Sequence, residues 1–134
     1  MTYEIIPETP SVEDYLRLRQ AGGLSAYTPE AAEAGLPHSW FCVCVVAEGR
    51  TVGMGRIIGD GGCFFQIVDI VVEPEHQGKG LGKKIMAALT ARLRETAPTS
   101  AYVSLVADLP ADRLYAQFGF EPVAPRSIGM AMKI

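Results

Sequence analysis

Residues 74–86, PEHQGKGLGKKIM, place Gly78, Gly80 and Gly82 at alternate positions immediately before a helical pattern. Glycine is a poor helix former, so three of them at a helix start point to a backbone that something approaches closely. The first N–H groups of a helix have no backbone acceptor, and the helix dipole favours negative charge beside them. Lys79, Lys83 and Lys84 add positive charge, although Lys83 and Lys84 oppose that dipole; the combination reads as a site for a polyanion. Spacing excludes two phosphate-binding patterns. The Walker pattern needs a glycine where Gln77 stands and a hydroxyl where Lys84 stands, and the dinucleotide pattern G-x-G-x-x-G is here G-x-G-x-G.

The elements that must position this turn follow from local patterning. YEIIP reads as a short strand, SVEDYLRLRQ as a helix capped by Ser11, and TPEAAEAG as a helix with Thr28 as N-cap and Pro29 in its first turn. From Trp40 the pattern changes to strands: WFCVCVVA and RTVGMGRIIGD joined at EGR, then CFFQIVDIVVEP, a three-strand antiparallel meander. Gln66 and Asp69 interrupt the last, otherwise apolar, strand and must find polar partners if buried. After the glycine turn, Leu81, Ile85, Leu89 and Leu93 recur at i+4 in a long helix. A strand in SAYVSLVAD, a short helix in ADRLYAQFG ending at Gly119, and two strands in FEPVA and SIGMAMKI complete the chain. The expected architecture is α+β, with a mixed, mostly antiparallel central sheet of about six or seven strands flanked by about four helices, in a single domain spanning 1–134.

Composition narrows the class. Of 134 residues, 49% are hydrophobic and 20% charged, and the net charge is −3, so neither disorder nor a broad basic nucleic-acid face is expected. The longest apolar runs are too short to span a bilayer, and MTYEIIPETP lacks the basic and apolar regions of a leader, so the cytoplasm is the expected compartment. Cys42 and Cys44 share one strand face and are read as reduced core thiols. With His38 and His76 distant from them, no metal site is expected.

The spacing Gln-x-x-Gly-x-Gly, here Gln77, Gly80 and Gly82, resembles the signature of the GNAT superfamily of acetyl-CoA-dependent N-acetyltransferases. ADRLYAQFGFEPV resembles a second segment of that superfamily, matched at Ala111, Leu114, Tyr115, Gly119 and Phe120, and the element order also suits it along the whole chain. The resemblance implies acetyl-CoA as co-substrate. It implies that two strands splay to admit the pantetheine arm beside the backbone of Ile70, Val71 and Val72. It further implies that the N–H groups of Gln77, Gly78, Lys79, Gly80, Leu81, Gly82 and Lys83 cradle the pyrophosphate. Tyr115 matches the family's general acid toward the CoA sulfur. Asp69 is the first candidate for the base and Glu73 the second, with pairing of Asp69 to Arg56 or a water relay as the alternatives. The family often has Asn where Asp108 stands, three residues before the motif alanine; a carboxylate accepts but does not donate, so Asp108 either contacts the CoA arm differently or caps the next helix.

In the family, acceptor specificity comes from the first two helices, their loop and nearby strand ends, which here designates Leu24, Tyr27, Trp40, Arg56 and Gln66, with Asp60 nearby and Glu30 and Glu33 as a frame for a cationic amine. The expected activity is acetyl transfer to a primary amine of a small molecule. A peptide or protein acceptor, and a CoA-binding module without catalysis, are the alternatives. No nucleic-acid or membrane partner is expected, and an exposed sheet edge is compatible with a homodimer through the final strands.

Overall fold

The turn Glu48-Gly49 sets the register of the sheet in the computed structural model, which describes residues 1–134. Both residues have positive φ, 51° and 75°, the geometry that joins twisted antiparallel strands through two residues. It links β2 (Phe41–Ala47) to β3 (Arg50–Gly59), pairing Ala47 with Arg50 and Phe41 with Ile57. β1 (Tyr3–Ile6) lies antiparallel on β2, and β4 (Phe64–Val72) antiparallel on β3. β5 (Tyr102–Leu105) runs parallel to β4 and ends the sheet, whose order is β1-β2-β3-β4-β5.

The helices begin where their caps require. In α1 (Val12–Ala21) the Ser11 hydroxyl accepts from the Asp14 N–H, and in α2 (Pro29–Gly35) the Thr28 hydroxyl accepts from the Ala31 N–H. Each such cap is worth about 1 kcal/mol. α3 (Leu81–Thr96) buries Leu81, Ile85, Met86, Leu89 and Leu93 against Val43, Val45, Ile57, Phe65 and Ile67 of the sheet. A smaller cluster on the opposite side joins Tyr15 and Leu18 of α1 to Ala32, Leu36, Met54 and Val71. The short α4 (Asp112–Ala116) follows β5, and Gly119, at φ 93°, comes just after its end. No helix is long and apolar enough to cross a membrane. Cys42 and Cys44 are buried free thiols, whereas Cys63 is exposed.

The sheet has five strands rather than the six or seven expected, because FEPVA and SIGMAMKI do not pair. Alternating apolar residues make a segment competent for a strand, but a strand exists only where another backbone accepts its hydrogen bonds. Residues 128–134 make no backbone–backbone hydrogen bond within the chain.

Candidate functional site

β4 and β5 are paired only from Phe64–Tyr102 to Ile67–Leu105. Beyond that point they part, and a cleft of 560 Å³ opens between Val68, Asp69 and Ile70 on one side and Leu105, Val106 and Asp108 on the other. On its other edge β4 carries a bulge. Met54 pairs with Val71 and Arg56 with Val68, leaving one residue of β3 opposite two of β4. Asp69 occupies this bulge at φ 58°, a conformation that Asp tolerates better than most residues. Its carboxylate is thereby delivered to the place where α1, β3 and β4 meet.

That carboxylate, with its side chain only 4% exposed, already holds three donors. The Tyr15 hydroxyl donates to Oδ2 at 2.9 Å, Arg56 Nε donates to the same oxygen at 2.9 Å, and Arg19 Nη1 donates to Oδ1. Arg19 also donates through Nε and Nη2 to the Ser25 carbonyl at 3.0 and 2.8 Å, and its guanidinium lies 4.4 Å from the Tyr27 ring centroid. The α1–α2 loop is thus fastened to β4 through one arginine. Burial, and then the Asp69 charge, push the Tyr15 phenol up to about 12, so it remains a donor at neutral pH. Arg56 Nη1 donates to the Ser39 hydroxyl at 3.1 Å.

Glu73, the second carboxylate singled out, is also committed. It accepts from Arg50 Nε at 3.1 Å and Nη2 at 2.9 Å, with Arg17 Nη1 3.1 Å away. The hydrogen bonds from Arg50 hold its carboxyl below the usual carboxylate range. Glu73 ties α1 and β3 to the end of β4.

The glycine turn exposes bare backbone. The Lys84 N–H bonds to the Gly80 carbonyl, while the N–H groups of Gly78, Lys79, Gly80, Leu81, Gly82 and Lys83 donate to no backbone or side-chain acceptor. Gly78 and Gly80 both have φ 78°, and a Cβ at either would meet nothing within 4 Å. Their backbone needs glycine, and the space above them is open. Gln77 differs from the expectation: its N–H bonds to the Pro74 carbonyl at 3.3 Å and its side-chain amide to the Val72 carbonyl at 2.9 Å. It braces the turn rather than presenting a free N–H. Of Ile70, Val71 and Val72, Ile70 borders the cleft, while the Val71 side chain is buried against α1. Lys79 Nζ donates to the Tyr3 hydroxyl at 3.2 Å, and that hydroxyl is 2.8 Å from His76 Nδ1, which joins β1 to the turn.

Tyr115 of α4 borders the same cleft as Asp69 and Asp108. Burial, and then the Asp108 carboxylate, push its phenol above the ordinary value, so Tyr115 carries its proton at neutral pH. The side chain of Asp108 caps nothing; its carbonyl accepts from the Ala111 N–H at 2.9 Å.

A second, smaller pocket of 270 Å³ lies beneath α2 and shares Tyr27, Gln66, Val68 and Asp69 with the cleft. Arg56 and Tyr15 line it, and Leu24 lies on the cleft side. The structure therefore brings together Leu24, Tyr27, Arg56 and Gln66. Trp40 is not among them: its ring packs edge-on against Phe65 at 4.7 Å within the core. Glu30 and Glu33 are exposed on α2 and border neither cavity, and Asp60 accepts from the N–H groups of Gly62, Cys63 and Phe64 in the β3–β4 turn. Arg19 and Tyr15 are the site residues that sequence reasoning missed. Their i,i+4 spacing, which puts both on the buried face of α1, is the signal that could have found them.

Comparisons with known proteins bear on the family and the fold. Residues 39–122 match the model of the acetyltransferase (GNAT) domain. An uncharacterized N-acetyltransferase, ycf52, of Porphyra purpurea is 32% identical over 89 residues, covering 63% of this chain and 50% of the relative. Serotonin N-acetyltransferase 2, chloroplastic, of Oryza sativa subsp. japonica is 39% identical over 87 residues, covering 63% of this chain and 42% of the relative. The chain thus spans about half the length of the curated relatives it matches. Among solved structures, a protein of unknown function from meticillin-resistant Staphylococcus aureus, described as a probable acetyltransferase, superposes with a TM-score of 0.94 at 46% identity, covering 99% of this chain and 100% of that one. By its domain match, its relatives and its fold, this chain belongs to the GNAT acetyltransferase family.

Proposed function

We propose that this chain transfers the acetyl group of acetyl-CoA to a primary amine of a small molecule, by direct attack within a ternary complex. The observation that carries the reading is the junction of the two cavities at Tyr27, Gln66, Val68 and Asp69. One arm of that junction suits a CoA chain: the strands are parted, and the glycine turn offers six unpaired N–H groups under open space. The other arm, at 270 Å³, lies just below the usual range for sites that take drug-sized ligands, which favours a small acceptor over a peptide.

Ile70 and its neighbours on the parted edge of β4 align the thioester, and residues 78–83 hold the pyrophosphate. The amine nitrogen forms a bond to the thioester carbon, the carbonyl π electrons move to oxygen, and their return breaks the carbon–sulfur bond. Tyr115 gives its hydroxyl proton to the departing sulfur. Water accepts the proton lost by the amine and reprotonates Tyr115, so the cycle closes without a net proton on the protein. An alkylammonium is about 3 units, or roughly 4 kcal/mol, from neutral at pH 7. Arg19 and Arg56 oppose a further positive charge at the junction and reduce that cost.

Asp69 acts in this scheme by positioning the two arginines and Tyr15 rather than as the base. A proton arriving there must displace a charge-assisted hydrogen bond. The pocket consequently sets two guanidiniums against one carboxylate, which suits an amine that carries an anionic group better than a polycation.

The test is thiol release from acetyl-CoA across amino acids, amino sugars and their phosphates, polyamines, aryl amines and short peptides. Turnover with small amines supports the reading. Turnover with peptides alone overturns the small-acceptor assignment, and acetyl-CoA binding without transfer to any amine overturns the enzymatic one.

A further inference from the structure

Every lysine but one belongs to the glycine turn or to the start of α3. Lys79 donates to the Tyr3 hydroxyl, and Lys83 and Lys84 are exposed on the first turn of α3. The exception is Lys133, next to the C-terminal residue. Its Nζ donates to the Ser25 hydroxyl at 3.3 Å and lies 4.7 Å from the Tyr27 ring centroid. Ser25 and Tyr27 both line the cleft that Asp69 and Tyr115 border, and Ala131 lines it as well. Tyr27 also lines the smaller pocket. The chain thus brings a primary amine of its own to the junction of the two cavities.

Lys133 is held there lightly. It joins no ion pair, whereas Arg19, which lies against the same Tyr27 ring, is fastened by Asp69 and the Ser25 carbonyl. Residues 128–134 make no backbone–backbone hydrogen bond, so the amine can shift along the cleft without breaking one. The tether nevertheless keeps it beside the cleft, which gives it a high effective concentration against any free acceptor.

We propose that Lys133 is a site of self-acetylation, its Nζ taking the acetyl group of an acetyl-CoA bound in the same chain's cleft. The inference rests on the proposed acetyl transfer and adds an acceptor within the chain. The Lys133 ammonium first loses a proton to water. The neutral Nζ then forms a bond to the thioester carbon, the carbon–sulfur bond breaks, and nitrogen loses a second proton as the amide forms. The departing sulfur takes the Tyr115 proton and leaves as the CoA thiol. One of the nitrogen's protons restores Tyr115 through water, and the other passes to solvent. Acetylation removes the charge of Lys133 and with it the contact to the face of Tyr27.

Intact-mass and peptide mass spectrometry of the protein incubated with acetyl-CoA, with no acceptor added, tests the proposal. The expected result is one acetyl group per chain, on Lys133, arriving at least about tenfold faster than on Lys83 or Lys84. Its rate constant should not depend on protein concentration. Unfolding in urea should abolish the preference, and an added small amine that is turned over should slow the modification. Lys133→Arg keeps a cation over Tyr27 but lacks the primary amine. It should take up no acetyl group on its tail while still releasing thiol with free amines. Modification of Lys133 no faster than of Lys83 and Lys84, or a rate constant that rises with protein concentration, overturns the inference. So does a modification rate that a turned-over amine leaves unchanged. Thiol release with free amines from a protein whose Lys133 stays unmodified overturns this inference alone. No thiol release with any amine and no modification overturns both it and the transfer reading on which it rests.

Discussion

Arg56 Nε donates to Asp69 Oδ2 at 2.9 Å across the β3–β4 pair, at the one position where β4 bulges. Arg19 of α1 reaches the other oxygen of the same carboxylate. One acidic residue thus fixes two arginines from different elements, and through Arg19 the loop that carries Ser25 and Tyr27.

Asp69→Asn leaves those guanidiniums without a counter-charge in a largely buried setting and should cost about 3–5 kcal/mol of stability, measured by urea denaturation. If Asp69 positions rather than abstracts a proton, the variant keeps the shape of the kcat pH profile while the acceptor KM rises. Loss of an acidic limb from that profile would instead identify Asp69 as the base.

Gly80→Val should raise the KM for acetyl-CoA at least about tenfold, because it forces a β-branched residue to φ 78° and fills the space above unpaired N–H groups. Gly23 supplies the control. It has φ 75° and nothing within 4 Å, so Gly23→Val imposes similar backbone strain outside the turn and should leave acetyl-CoA affinity within about threefold of wild type.

Glu73 gives the pH dependence of stability a defined sign. Its folded carboxyl titrates below the ordinary value because Arg50 hydrogen-bonds the charged form. Its contribution is therefore fully present above the unfolded value of about 4.3 and is lost as pH falls through the lower folded value. Glu73→Gln should remove about 1–3 kcal/mol at pH 7 and flatten the decline in stability below about pH 4.5. Urea midpoints from pH 3 to pH 7 on the two proteins measure the difference.

Thiol reactivity should separate the three cysteines. Burial first, then the neighbouring Cys42, pushes the Cys44 thiol up to about 12, and Cys42 is buried beside it. Titration with a chromogenic disulfide should label Cys63 rapidly in the native protein and all three thiols only in denaturant.

Much of this structure is legible in local patterns because the determining interactions are local. Ser11 and Thr28 cap the helices their spacing predicts, and the positive-φ pair Glu48-Gly49 joins the strands on either side. The glycine turn is likewise readable, since bare N–H groups at a helix start are a property of a few adjacent residues. What escaped depends on distance. Arg19 looks like an ordinary helix arginine until β4 brings Asp69 to it from fifty positions away, and the bulge that turns Asp69 inward is set by the pairing of β3 with β4. Trp40 carries the right chemistry for a substrate wall, but its packing on Phe65 is decided by the sheet. The alternation in SIGMAMKI makes that segment competent for a strand, but no other backbone of the chain pairs with it.

The central claim, that Tyr115 protonates the departing sulfur of an acetyl-CoA seated between β4 and β5, is tested most directly by Tyr115→Phe, with pre-steady-state acetyl transfer and acetyl-CoA affinity measured on the same protein. The Tyr115 phenol is raised above its ordinary value, so the acid form persists through neutral pH and removal of its hydroxyl should lower kcat by about 10²–10⁴-fold. Acetyl-CoA dissociation should change by less than about threefold, because the ring remains to pack in the cleft. An unchanged kcat with unchanged affinity would contradict the account.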